Sequence, residues 1–128
     1  MTIEAPPTPR LIAARERIAD VLVGSGLRVA YGGRFAAPCV LLEPAEPWIE
    51  RATASRNLRT RWRVTAIAGR TDTEAAYDEL AAMIDATDAA LLSLRGASLP
   101  SWGAPHDVTL GNVAHPAAVG TIELHSEV

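Results

Sequence analysis

Apolar residues recur at Leu11, Ala14, Ile18, Val21 and Leu22, a spacing of three and four that lines one face of an α-helix. Thr8 and Pro9 precede this run and predict its start, with Thr8 as N-cap and Pro9 at the first helical position, where a missing N–H costs nothing. Gly24-Ser25-Gly26 stops it. Arg15, Glu16, Arg17 and Asp20 occupy the other faces, so the helix is amphipathic and lies on something. Short strands are predicted over residues 27–31 and 38–43, separated by a Gly32-Gly33 turn. The second, Cys39-Val40-Leu41-Leu42, is apolar on both faces and reads as central. Pro44 and Pro47 are read as its end, and residues 45–57 are polar and without period apart from Trp48-Ile49. A connection of this length is an arm or a loop.

Strict alternation follows. Leu58, Thr60, Trp62, Val64, Ala66 and Ala68 point one way, and Arg59, Arg61, Arg63, Thr65 and Ile67 the other, as a strand requires. At about 3.3 Å per residue this strand is longer than most, and its arginine end is expected to project past the sheet, with residues 45–60 as an extended hairpin arm. Thr71-x-x-Glu74 reads as a capping box. A second helix continues through Tyr77, Leu80, Ile84, Thr87, Leu91 and Leu94, with Gly96 as its C′ residue. Residues 106–110 and 119–125 alternate as strands, with the GNVAHPAAVG insert, Gly111 to Gly120, as their turn. The expected architecture is α+β in the order α-β-β-β-α-β-β, with two helices on one face of an antiparallel or mixed sheet of about five strands. It forms a single domain over residues 1–128.

Charge changes this picture. All 12 basic residues are arginine, which excludes Schiff-base lysine and phosphate-loop lysine chemistry. Six of them (51, 56, 59, 61, 63, 70) lie in residues 51–70 without an acid, while the other six share the rest of the chain with all 15 acids. A protein that coats DNA is more often basic overall. An acidic body with one basic arm suits contact with another protein or with a second copy. Composition, 48% hydrophobic and 21% charged, is that of a soluble globular domain, and no stretch reads as a secretion signal or a membrane span. Cys39 is the only cysteine, so an intrachain disulfide is impossible.

Catalytic and metal patterns are weak. Gly24-Ser-Gly26 lacks the third glycine of a dinucleotide fingerprint and ends a helix where such a site begins one. Cys39, His106, His115 and His125 have no zinc-ligand spacing. Asp78, Asp85 and Asp88 share a helix face, which reads as solvated rather than as a cation site. His106-Asp107 has no nucleophile context to serve Ser101. No catalytic residue, cofactor or metal is therefore assigned. Trp62 is read as core. Trp48 and Trp102, in proline-rich connections, are read as interface anchors or as part of a stacking platform.

The layout resembles the tail terminator proteins of long-tailed phages, the family of the lambda-type minor tail protein U. The resemblance rests on the leading helix over residues 9–23, the apolar strand Pro38-Cys-Val-Leu-Leu-Glu-Pro44 running on to Pro47-Trp48, and Arg61-Trp-Arg-Val-Thr-Ala-Ile-Ala-Gly69. It also takes in the helix carrying Tyr77-Asp-Glu-Leu80 and Asp88-Ala-Ala-Leu91, and the closing strand pair. It implies a non-enzymatic virion protein, made in the host cytoplasm, that assembles into a ring, typically a hexamer, at the head–tail junction. There it would cap the tail tube and meet the tail tube protein and the head completion or connector protein. On this reading Trp48, Arg51, Arg56, Arg59 and Arg61 reach the Asp78, Asp85 and Asp88 face of the neighbouring copy. A neck protein whose arm touches DNA in the lumen is the alternative, and a small-molecule domain with Trp102, His106 and Asp107 around a pocket is a third reading.

Overall fold

The computed structural model describes residues 9–51 and 58–126. The elements run α1 (Arg10–Gly24), β1 (Val29–Ala30), β2 (Cys39–Arg51), β3 (Leu58–Ile67), α2 (Thr73–Leu92), β4 (His106–Leu110) and β5 (Val113–Ser126). The strands form one mixed sheet in the order β1-β2-β3-β5-β4, with β1 parallel to β2 and every other pair antiparallel. The fold is therefore α+β, with the expected element order. The sheet is mixed because residues 31–38 carry the chain back to the same end before β2 begins, where the Gly32-Gly33 turn had suggested a direct reversal.

The alternation along β3 does what the pattern predicts. Trp62, Val64, Ala66 and Ala68 enter one core cluster with Val40 and Leu42 of β2, Ile122 and Leu124 of β5, and Ala14, Ile18, Leu22, Ala76, Leu80, Met83, Ala90 and Leu91 of the two helices. Both helices thus lie on one face. α1 is seated against β1 and α2, and α2 lies over β5 and β3. On the far face Cys39, Ile67 and Ala117 form a smaller cluster with Phe35, Leu41, Val108 and Leu110.

Several boundaries move, each for a local reason. Pro9 stands at the cap position of α1 and Arg10 opens the helix, while Thr8 lies outside the described residues. The α2 cap is Asp72, whose carboxylate accepts from the Ala75 N–H, so the pair Thr71/Glu74 is out of register by one residue. Its end is at Ser93, three residues before Gly96. Tyr77 points outward, 49% exposed, and the α2 core stripe is Ala76, Leu80, Met83, Thr87, Ala90 and Leu91. Small alanines carry much of the packing that larger residues were expected to supply. Within the expected connection, the stretch from Val113 onward is strand. Gly111-Asn112 alone turns the chain between Leu110 and its partner Val113, and Gly111 takes φ +63°, which an L side chain resists at that position of a tight hairpin.

The largest change concerns residues 45–60. Pro44 and Pro47 do not end β2; the strand runs on to Arg51. Between the pairs Pro44↔Trp62 and Ile49↔Thr60, β2 advances five residues while β3 advances two. The surplus leaves the ladder as a bulge, the place within a sheet where prolines, which cannot donate to it, are tolerated. The hairpin resumes with Glu50↔Arg59 and Arg51↔Leu58. Its described part lies within the sheet, because β5 follows β3 along its whole length, from Ile67↔Ala117 to Leu58↔Ser126; the tip of the expected arm, residues 52–57, lies outside the described residues.

Candidate interaction surfaces

Because β3 is flanked on both sides, its arginines face two strands at once. Arg61 donates from Nη1 to Glu50 Oε1 at 2.7 Å and from Nε to Glu123 Oε1 at 2.8 Å. Arg59 Nη1 reaches Glu50 Oε2 at 3.3 Å, and Arg63 Nη2 reaches Glu43 Oε1 at 3.2 Å. Glu43, Glu50 and Glu123 thus match three arginines with three carboxylates across the helix-free face. Cross-strand pairing of this kind is the unit of stabilisation on a solvated sheet face. The hydrogen bond from Arg61 holds the Glu50 carboxyl below the usual carboxylate range, against the opposing effect of desolvation; Glu50 in turn pushes Arg61 upward.

This arrangement alters the expected role of the arm. Arg59 and Arg61 are taken up inside their own subunit, Arg51 is exposed at the end of β2, and Arg56 lies outside the described residues. On the other side of the expected contact, Asp78 and Asp85 are exposed, whereas Asp88 is half-buried and accepts from Trp102 Nε1 at 3.2 Å. The structure thus does not leave the residues proposed for the intersubunit charge pair equally free. Trp102 is held by that bond and packs with Pro100 over β5 at Gly120, where a Cβ would come within 2.8 Å of Pro100 Cβ and 3.3 Å of the indole. A glycine is required there by close approach. Trp102 is consequently an intramolecular anchor.

The β2 bulge builds the second surface. It brings Trp48 edge-on to Trp62, with ring centroids 5.8 Å apart at 89°, a favoured aromatic geometry. The buried Trp62 indole N–H donates to Thr60 Oγ1 at 2.9 Å. Around Trp48 opens a hollow of about 160 Å³ lined by Leu11, Ile12, Arg15, Tyr31, Leu42, Pro44 and Trp62. Ile12, Tyr31 and Trp48 are 38%, 46% and 38% exposed at its rim. The Arg15 guanidinium stacks on the Tyr31 ring, 4.2 Å from its centroid, and its buried Nε has no hydrogen-bond acceptor. Trp48 was singled out by the sequence. Ile12, Arg15 and Tyr31 were not, since no spacing in the sequence ties a first-turn helix residue to a post-strand tyrosine.

A second cleft, of about 400 Å³, lies between the α1–β1 connection, the start of β2 and α2, and includes Arg28, Cys39, Glu79 and Met83. Glu79 accepts from the backbone N–H groups of Gly69 and Arg70, fixing the exit of β3 to α2. Burial pushes the Cys39 thiol up, partly offset by Arg28, which makes it a poor nucleophile. His106 and Asp107 are exposed on the edge strand β4, and neither cleft is lined by them or by Trp102. His115 Nδ1 donates to the Ala68 carbonyl at 2.9 Å, a structural tie. Among the described residues no set of three His, Cys, Asp or Glu side chains gathers to hold a metal, and no helix is long and apolar enough to cross a membrane.

No family model and no curated protein matches this sequence.

Proposed function

We propose that this chain is a structural virion protein, a tail terminator that assembles into a six-membered ring, caps the tail tube and joins it to the head connector. The resemblance supplies the role. The observation that carries it is a pair of unlike surfaces on opposite sides of the helix layer. One is the Trp48 hollow beside α1 and β1, and the other is the exposed acidic face of α2, the helix that lies over β5. A head-to-tail contact between two different patches is what closes a ring, whereas a two-fold dimer needs one patch that matches itself. Contact with DNA in the lumen is the weaker reading, because Arg59, Arg61 and Arg63 are matched by Glu43, Glu50 and Glu123 on the same face.

Native mass by light scattering tests the proposal, on the protein alone and with tail tube protein. A closed oligomer, alone or on the tube, is expected; a monomer at all concentrations in both samples overturns it.

A further inference from the structure

We infer that the Trp48 hollow is the receptor half of the subunit contact, and that its occupant is the Tyr77 side chain of a second copy of this chain, with the carboxylates beside Tyr77 facing Arg15. This rests on the ring assembly proposed above and names the contact that closes it.

The hollow has the character of a socket for one large side chain. Its walls are aliphatic and aromatic, and its volume of about 160 Å³ is several times the roughly 30 Å³ share of a water molecule in the liquid. The charged group at its edge is the Arg15 guanidinium, stacked on Tyr31. Arg15 makes no ion pair with the described residues, and an incoming carboxylate complements its charge. The ligand that fits is an aromatic ring with an oxygen, accompanied by negative charge.

α2 presents such a group on the side away from α1. Tyr77, Ile84 and Asp88 fall on one stripe of the helix at spacings of seven and four. Asp88 is turned to Trp102, which lies on β5 at Gly120; the stripe therefore faces the β5 side. The opposite flank, with Glu79 and Ala82, lines the cleft shared with the end of α1. Tyr77 is 49% exposed, and Glu74 and Asp78, exposed beside it, make no ion pair with the described residues. The knob is negative and the socket is positive, and they lie on different sides of the subunit, so each copy offers a knob to one neighbour and a socket to the other. Tyrosine and tryptophan with a paired arginine are the residue types that dominate such contacts.

Charge reversal tests this directly. Arg15→Glu and Asp78→Arg, each alone, are expected to weaken assembly at least about tenfold in dissociation constant, measured by sedimentation velocity. The double variant, in which position 78 of one copy again meets the opposite charge at position 15 of the next, is expected to recover part of the loss. Tyr77→Ala, at an exposed site, is expected to weaken assembly while thermal unfolding of the isolated subunit is unchanged. Wild-type oligomers that persist in all three single variants overturn the contact and leave the ring standing, as does a double variant no better than either parent. Wild-type protein that stays monomeric alone and with tail tube protein removes the ring itself, and with it this contact.

Discussion

The two faces of β3 carry residues one position apart and solve different problems. On the helix side Thr60, Trp62, Val64 and Ala66 are fully buried, and the indole N–H of Trp62 must find its acceptor within the protein, which Thr60 supplies. On the other side the Arg61 side chain remains 18% exposed and the Arg59 side chain 42%, and the arginines pair with carboxylates of the flanking strands. Burial on the first face is driven by removal of apolar surface from water and tolerates little change of volume. Pairing on the second is an exchange of water contacts for ionic ones and is worth much less per group. The lesson is that three alternating arginines on a strand need not describe a surface for a polyanion; the neighbouring strands decide.

The sharpest test of this contrast is Trp62→Ala, which is expected to destabilise the fold by about 3–5 kcal/mol in urea unfolding and to free Trp48 from its aromatic partner. Next comes Gly120→Ala. The added methyl meets Pro100 and Trp102, and overpacking of this kind costs roughly 1–3 kcal/mol, read from the same unfolding curves. Thr60→Val keeps shape but leaves the Trp62 N–H without its acceptor, at about 1 kcal/mol or somewhat more; a neutral result would mean that the donor finds water and that this face is less dry than its burial indicates.

The smallest effect belongs to the charged face. Glu50 has its folded pKa lowered, chiefly by the Arg61 hydrogen bond, so its contribution is complete above the ordinary glutamate value, about 4.3, and is lost as pH falls through the depressed folded value. Glu50→Gln is therefore expected to be slightly less stable than wild type near neutrality, with the difference closing below about pH 4 and shrinking at about 1 M salt, where charges are screened within a few ångströms. A loss at neutral pH as large as that of Trp62→Ala, insensitive to salt, would break the comparison between the two faces.

Much of the fold was legible. Periodicity assigned both helices, and the two-residue alternation separated the buried and charged sides of β3, because those patterns follow from local geometry and the need to hide apolar surface. The candidate surfaces were legible only in part. Trp48 stood out as an unexplained tryptophan, while Arg15 and Tyr31 gained meaning only when α1 and the end of β1 came together. The prolines at 44 and 47 signalled an end to pairing; what they mark is a bulge, because the hairpin beyond them is long enough to re-form the ladder.

By itself, then, the sequence determined which side chains must be hidden and which face of each element hides them, since hydrophobic burial is imposed residue by residue. Only the tertiary structure decided who meets whom across the sheet: that Glu50 and Glu123 lie beside Arg61, that the β2 surplus folds Trp48 onto Trp62, and that Tyr77 turns outward on α2. Those outcomes depend on strand register and helix docking, where a shift of one residue exchanges every partner, and no local pattern encodes them.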